Sequence, residues 1–249
     1  MYAAAHTSLA LAAKRSNPNA PLFGLMVAAQ ATELLWVGLT YAGVERPTVD
    51  AHGTLHLEYL PYSHSLLVGL GLGVLVWAVL RWVARRPEIA TVFGWVTASH
   101  IALDVVQHEP NIRLVPWLAQ PVLGLNLQAS PWLDFAIETA LSVACWAYYR
   151  GTWKLLVAIV ALNVANLPLM LAGEGAASPM VSNRFMLPTV ILTTILLAWG
   201  VIHRYATVRP AAPASATGAH GNPVAAEGDR ILLPAHLEAA AERSSAGLD

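Results

Sequence analysis

Residues Ser63–Ala84 read SHSLLVGLGLGVLVWAVLRWVA. From Leu66 to Leu80 no side chain is charged, and the first charge after them is Arg81. A helix rises 1.5 Å per residue and a bilayer core is about 30 Å thick, so some 20 apolar residues span it. This stretch has that length and composition and predicts a transmembrane helix. It also begins on a histidine, His64, where a simple anchor would need none.

Five further stretches of the 249-residue chain carry the same signal: Leu22–Val44, Ile89–Gln107, Pro131–Tyr149, Trp153–Ala172 and Met186–Tyr205. Tyr2–Ala13 is apolar but too short to cross, and predicts a helix that enters partway and docks on the bundle. Its positive charges, Lys14 and Arg15, follow the apolar part, the reverse of a signal peptide. Hydrophobic residues make up 56% of the chain and charged ones 12%, against about a quarter charged in a soluble domain. Mean hydropathy is +0.53. These values exclude a disordered chain and an ordinary soluble enzyme, and a net charge of −1 offers no basic face for nucleic acid. The expected fold is an all-α polytopic bundle over residues 1–208. It is followed by a disordered cytoplasmic tail, 209–249, rich in Ala, Pro, Ser and Gly.

Basic residues alternate along the chain. Lys14 and Arg15, Arg81 to Arg86, Arg150 and Lys154, and Arg204 and Arg209 fall at one set of span ends. The opposite loops hold Arg46, Arg113 and Arg184. The positive-inside rule then puts the basic ends in the cytoplasm.

Ionisable groups inside spans cost about 2.5–3.5 kcal/mol each at the helix centre on insertion scales, so their presence calls for a reason. Here they are Glu33, His64, His100, Asp104, Asp134 and Glu138, with His108 just past a span end and His6 in the short first segment. With odd spans running outward and even spans inward, these residues share the outer half of the membrane, Glu33 nearest the middle. His100, Asp104 and His108 recur every fourth residue, as do Asp134 and Glu138, so each set lines one helix face. Imidazoles and carboxylates converging from several helices are how bundles build metal sites. With Cys145 the one cysteine, the donor set is nitrogen and oxygen, which suits Zn²⁺, Mn²⁺ or Fe²⁺. His52 and His56 lie in a polar loop and read as unrelated to this set. Gly69 and Gly73 predict close helix packing, and Pro168 and Pro188 predict kinks. Asn163 and Asn166 read as hydrogen-bond donors between helices.

Four segments, HTSLALAAKR from His6, AAQATELLWVGLTYAGVE from Ala28, YLPYSHSLL from Tyr59 and ASHIALDVVQHEPNIRLVP from Ala98, resemble the bacterial inner-membrane metal-dependent hydrolases of the LexA-regulated type. The likeness covers roughly residues 1–150. It rests on Ser63-His64-Ser65 at a helix start and Ser99-His100-x-x-x-Asp104 in the next helix. It implies a metal site at His6, Glu33, His64, His100 and Asp104. The family pattern has Asp where this chain has Glu33.

The expected function is metal-dependent hydrolysis, with His6, His64, His100 and Asp104 as ligands. Glu33 is a ligand or the general base, and Glu138 a general acid or outer partner. His108 and Asp134 stand behind the ligands. Burial in the membrane points to a lipid or lipid-linked substrate. A proton-coupled transporter would use the same residue types but needs a polar path to both faces, whereas the basic-end halves of the second to fourth spans are nearly free of ionisable groups. A scaffold held together by its polar cluster is the other alternative. Oligomeric state is not legible from one chain.

Overall fold

The computed structural model describes residues 3–46, 48–49, 55–56, 60–171, 183 and 185–206. The expected tail, 209–249, and Ala172 at the end of the fifth stretch lie outside the described residues. The helices are α1 (Ala3–Ser16), α2 (Leu22–Ala29), α3 (Ala31–Tyr41), α4 (Leu66–Ala78), α5 (Pro87–Gln107), α6 (Pro131–Tyr149), α7 (Trp153–Leu171) and α8 (Met186–Tyr205). A π-helical turn, Val79–Val83, prolongs α4. Two short antiparallel pairs, Thr48–Val49 with Leu55–His56 and Ile112–Arg113 with Val122–Leu123, decorate the loops. The all-α character expected from the sequence holds.

Three helices are long and apolar enough to cross a membrane: Leu66–Val83, Pro87–Gln107 and Met186–Tyr205. A fourth crossing arises if α2 and α3, bent by 58° at their junction, count as one span. The predicted continuous helix Leu22–Val44 is therefore a broken one. No proline or glycine sits at the break. The residue there is Gln30, fully buried, whose Nε2 donates to the Ala3 carbonyl at 3.0 Å. A contact with α1, distant in sequence, accompanies the bend, and a span-by-span reading does not see it. α6 and α7 match their predicted stretches in length. Asp134 and Glu138 reduce the apolar character of α6, and Pro168 interrupts α7 three residues before its end. Pro188 falls in the first turn of α8, where a proline deprives the helix of no hydrogen bond. The Asn163 carboxamide donates within its own helix, to the Ile159 carbonyl at 2.9 Å, rather than across to a neighbour.

Burial divides the bundle along its length. The dry core joins Ala10 and Leu11 of α1, Leu25 and Met26 of α2, Ile89 and Phe93 of α5, Leu155 and Ile159 of α7, and Ile195, Trp199 and Ile202 of α8. These are the helix halves nearest Lys14, Arg15, Arg86, Lys154 and Arg204. The polar side chains fall in the opposite halves. Outside the core, Leu67, Leu70, Val74 and Leu75 of α4, Trp95 of α5, and Leu196 and Leu197 of α8 are exposed. Exposed large apolar side chains in this number are what a bilayer solvates and water does not.

α4 and α5 lie unusually close. A Cβ built on Gly69 would stand 2.6 Å from Ile101 Cβ, and one on Gly73 would stand 2.8 Å from the Gly94 carbonyl. Of the predicted small-residue pair on α4, Gly73 thus meets a third glycine on α5 and Gly69 meets Ile101. This contact brings the start of α4 against the second half of α5, where the polar residues are.

Candidate metal centre

His6 reaches the site from the first turns of α1, a helix packed inside the bundle rather than on its edge. Ala4, Ala5, Thr7, Ser8, Ala10 and Leu11 are all buried with it. Glu33 stands in the first turn of α3, just past the break. His64 lies just ahead of α4, whose N-cap is Ser65, its Oγ accepting from the Val68 amide at 3.4 Å. His100 and Asp104 project from one face of α5, a turn apart.

The side chains converge. His100 Nε2 is 3.3 Å from Asp104 Oδ2 and 3.8 Å from Glu33 Oε1. His6 Nε2 is 3.6 Å from Asp104 Oδ1, and His64 Nε2 is 3.5 Å from Glu33 Oε1. Two sets, His6–His100–Asp104 and Glu33–His64–His100, each bring their ligand atoms within 4.8 Å of one another. Ligands at about 2.0–2.2 Å from one ion in tetrahedral directions lie some 3.3–3.6 Å apart, the range of the His100–Asp104, His6–Asp104 and His64–Glu33 spacings, with His100–Glu33 slightly longer. His100 belongs to both sets, yet its Nε2 has a single lone pair and can hold one ion only. The two sets therefore overlap at His100, where one ion can be held, and His64 falls outside the set that His6 and Asp104 form.

The surroundings orient the rings for this use. His100 Nδ1 is 2.8 Å from the Ala29 carbonyl. A carbonyl can only accept, so the proton is on Nδ1 and the Nε2 lone pair faces the cluster. Ala29 is the last residue of α2, so its carbonyl sits at the helix break. One bend therefore does two things: it sets Glu33 at the start of a new helix and anchors His100. The His6 ring stacks on His100 with centroids 3.8 Å apart and planes 9° from parallel. His100 Nε2 and both His6 ring nitrogens are buried without a hydrogen bond. Burying such nitrogens unbonded costs about 1–3 kcal/mol each, and a cation would satisfy His100 Nε2 and one of the two His6 nitrogens. The donor set and the unbonded nitrogens together fit a divalent ion with nitrogen and oxygen ligands.

No family model, curated protein or solved structure matches this chain. The reading of the site therefore rests on its own geometry.

The remaining predicted residues lie outside the two sets. Asp134 Oδ2 accepts from Gln107 Nε2 at 3.0 Å, which ties the start of α6 to the end of α5. Glu138 is fully buried one turn further along α6. His108 caps α5, its backbone amide bonded to the Asp104 carbonyl at 2.8 Å and its carbonyl accepting from Asn126 N at 2.8 Å. Two residues to which the sequence reading assigned no role stand against the site. Glu45 and Ser63 form a buried hydrogen-bonded pair behind His64. The signal available in the sequence was the serine next to His64; nothing local pointed to Glu45.

Proposed function

We propose that this chain is a multi-pass protein of the bacterial inner membrane that holds one divalent ion and hydrolyses an ester or phosphoester of a lipid or lipid-linked substrate. Zinc is the first choice of ion, with manganese or iron as alternatives. The observation that carries the reading is the His6–His100–Asp104 set, three buried side chains whose ligand atoms lie within 4.8 Å of one another. Membership of the LexA-regulated hydrolases would agree with it, on the strength of the His-Ser and His-x-x-x-Asp elements. We further propose six crossings, with the site in the outer half and the tail in the cytoplasm.

His6, His64, His100 and Asp104 hold the ion. When bound, the ion supplies Lewis-acid activation of water and of the scissile bond. Glu33 differs from the rest: its side chain is 20% exposed, against 1% or less for His6, His100 and Asp104. It is the group from which a water could be met from outside the cluster. Its carboxylate accepts the water proton and releases it after the bond breaks. Asp104 keeps its two oxygens toward His6 and His100 and balances the charge that the ion brings. Glu138, fully buried on α6, is the general acid or an outer partner of the ligands.

Metal analysis of the purified full chain tests the proposal. The expected result is about one ion per chain in the parent and loss of that ion in His100→Ala. A folded parent that binds none of the three metals at micromolar concentration overturns the proposal and leaves the scaffold alternative.

A further inference from the structure

α3 ends on a glycine-directed turn. Gly43 has φ of 75°. Its amide bonds the Thr40 carbonyl at 3.0 Å, and the Val44 amide bonds the Leu39 carbonyl at 2.9 Å, which is a Schellman cap. The turn delivers the next residue, Glu45, into the protein, where it is 1% exposed. A carboxylate is buried only when its oxygens are well bonded. Oε1 accepts from the amides of Tyr62 and Ser63 at 2.7 and 2.9 Å, and Oε2 accepts from the Ser63 hydroxyl at 2.6 Å. Ser63 Oγ is also 2.8 Å from His64 Nδ1.

The directions of these bonds are fixed by chemistry. A carboxylate has only lone pairs to offer, so the single Ser63 hydroxyl proton goes to Glu45. Ser63 Oγ must then accept from His64, which puts the imidazole proton on Nδ1. We propose that Glu45 and Ser63 are positioning residues that hold His64 as the Nδ1–H tautomer and present its Nε2 lone pair to the cluster. The inference rests on the metal-site reading for its purpose but not for its geometry. On that reading His64 and His100 are prepared in the same way, one by a carboxylate through a hydroxyl and the other by a backbone carbonyl. Partners of this kind, placed behind metal-binding histidines, change metal affinity about 10–100-fold when removed.

Glu45→Gln is the informative variant because it keeps the shape. Its amide oxygen can still accept the two backbone N–H groups. Its NH₂ then faces Ser63 Oγ as a donor, so the serine hydroxyl turns its own proton to His64 Nδ1, 2.8 Å away, rather than to the Leu60 carbonyl at 3.4 Å. The imidazole proton moves to Nε2, where it blocks the lone pair. Two measurements on the full chain read this. Nitrogen-15 NMR of the metal-free protein, with His64 assigned by its loss in His64→Ala, reports the tautomer. Equilibrium dialysis reports zinc affinity. The expected result is an Nδ1–H His64 in the parent and an Nε2–H His64 in Glu45→Gln, with zinc affinity down 10–100-fold. Ser63→Ala should weaken zinc binding to a similar extent and add nothing to Glu45→Gln. An unchanged tautomer in Glu45→Gln overturns the relay, as does zinc affinity equal to that of the parent. A tautomer that switches while neither protein binds zinc supports the relay and overturns the metal-site reading, so the two failures are told apart.

Discussion

His100 is held at Nδ1 by the Ala29 carbonyl, and its unbonded Nε2 faces Asp104 and Glu33 at 3.3 and 3.8 Å. Glu33 is held less, on a helix start and partly exposed. This difference separates a ligand from a base. Glu33→Gln preserves volume but removes the proton acceptor, so bound metal should stay within about tenfold of the parent. Hydrolysis should fall by about 10²–10⁴, the usual contribution of a general base. His100→Ala should abolish both. Metal titration alongside turnover on a lipid phosphoester checks this, and Glu33→Gln losing metal as fully as His100→Ala would make Glu33 a ligand instead. The sequence made His100 and Asp104 readable because an i, i+4 pair is a local pattern on one helix. Glu45 was not readable. Its partner lies 18 residues away across a loop, and the contact depends on a turn at Gly43 that has no periodicity.

Elements carry the site through two contacts, the bend between α2 and α3 and the glycine seam between α4 and α5. The seam was half visible: Gly69 and Gly73 recur at a spacing that lines one face, but Gly94 opposite them could not be matched to it from the sequence. Gly73→Ala places a methyl 2.8 Å from the Gly94 carbonyl, which is backbone and cannot rotate away. Overpacking of this kind costs about 1–3 kcal/mol. Because His64 precedes α4 and His100 rides on α5, parting the helices should also loosen zinc binding. Gly71→Ala is the matched control, since nothing lies within 4 Å of its added methyl. Thermal unfolding in detergent should show Gly73→Ala less stable than the parent and Gly71→Ala unchanged. Equal behaviour of the two would mean that the close approach does not hold the helices. The bend was not readable at all, since its residue is an ordinary glutamine whose partner, Ala3, belongs to another helix.

At the scale of the whole molecule, the apolar core and the polar cluster occupy opposite ends of the same bundle. The basic residues sit at the core end. That separation was legible because span direction alternates, and depth then follows from position along each stretch. The number of crossings is the part that length and composition leave open. α6 and α7 are a hairpin joined at Arg150; Asp134 and Glu138 lower the apolar character of α6, and the apolar part of α7 is short, Trp153–Pro168. A hairpin adds two crossings or none, so the side on which α8 ends is the same either way. The turn at Arg150 is where the two cases differ. On six crossings it shares the cytoplasmic side with Arg85; with four, it stays at or above the membrane on the side of Trp117. The only native cysteine, Cys145, is buried and can be replaced by alanine to give a clean background. Single cysteines at Arg85, Trp117 and Arg150 can then be probed with a membrane-impermeant maleimide in spheroplasts. The expected pattern is labelling at 117 in intact spheroplasts, and at 85 and 150 only after lysis. Helix burial argues for this outcome. α6 packs along α1, and both end in charge at the same end of the bundle, Lys14 and Arg15 on one and Arg150 just beyond the other. Labelling of 150 in intact spheroplasts would remove the six-crossing arrangement while leaving the candidate metal site, built from α1, α3, α5 and the approach to α4, where it is.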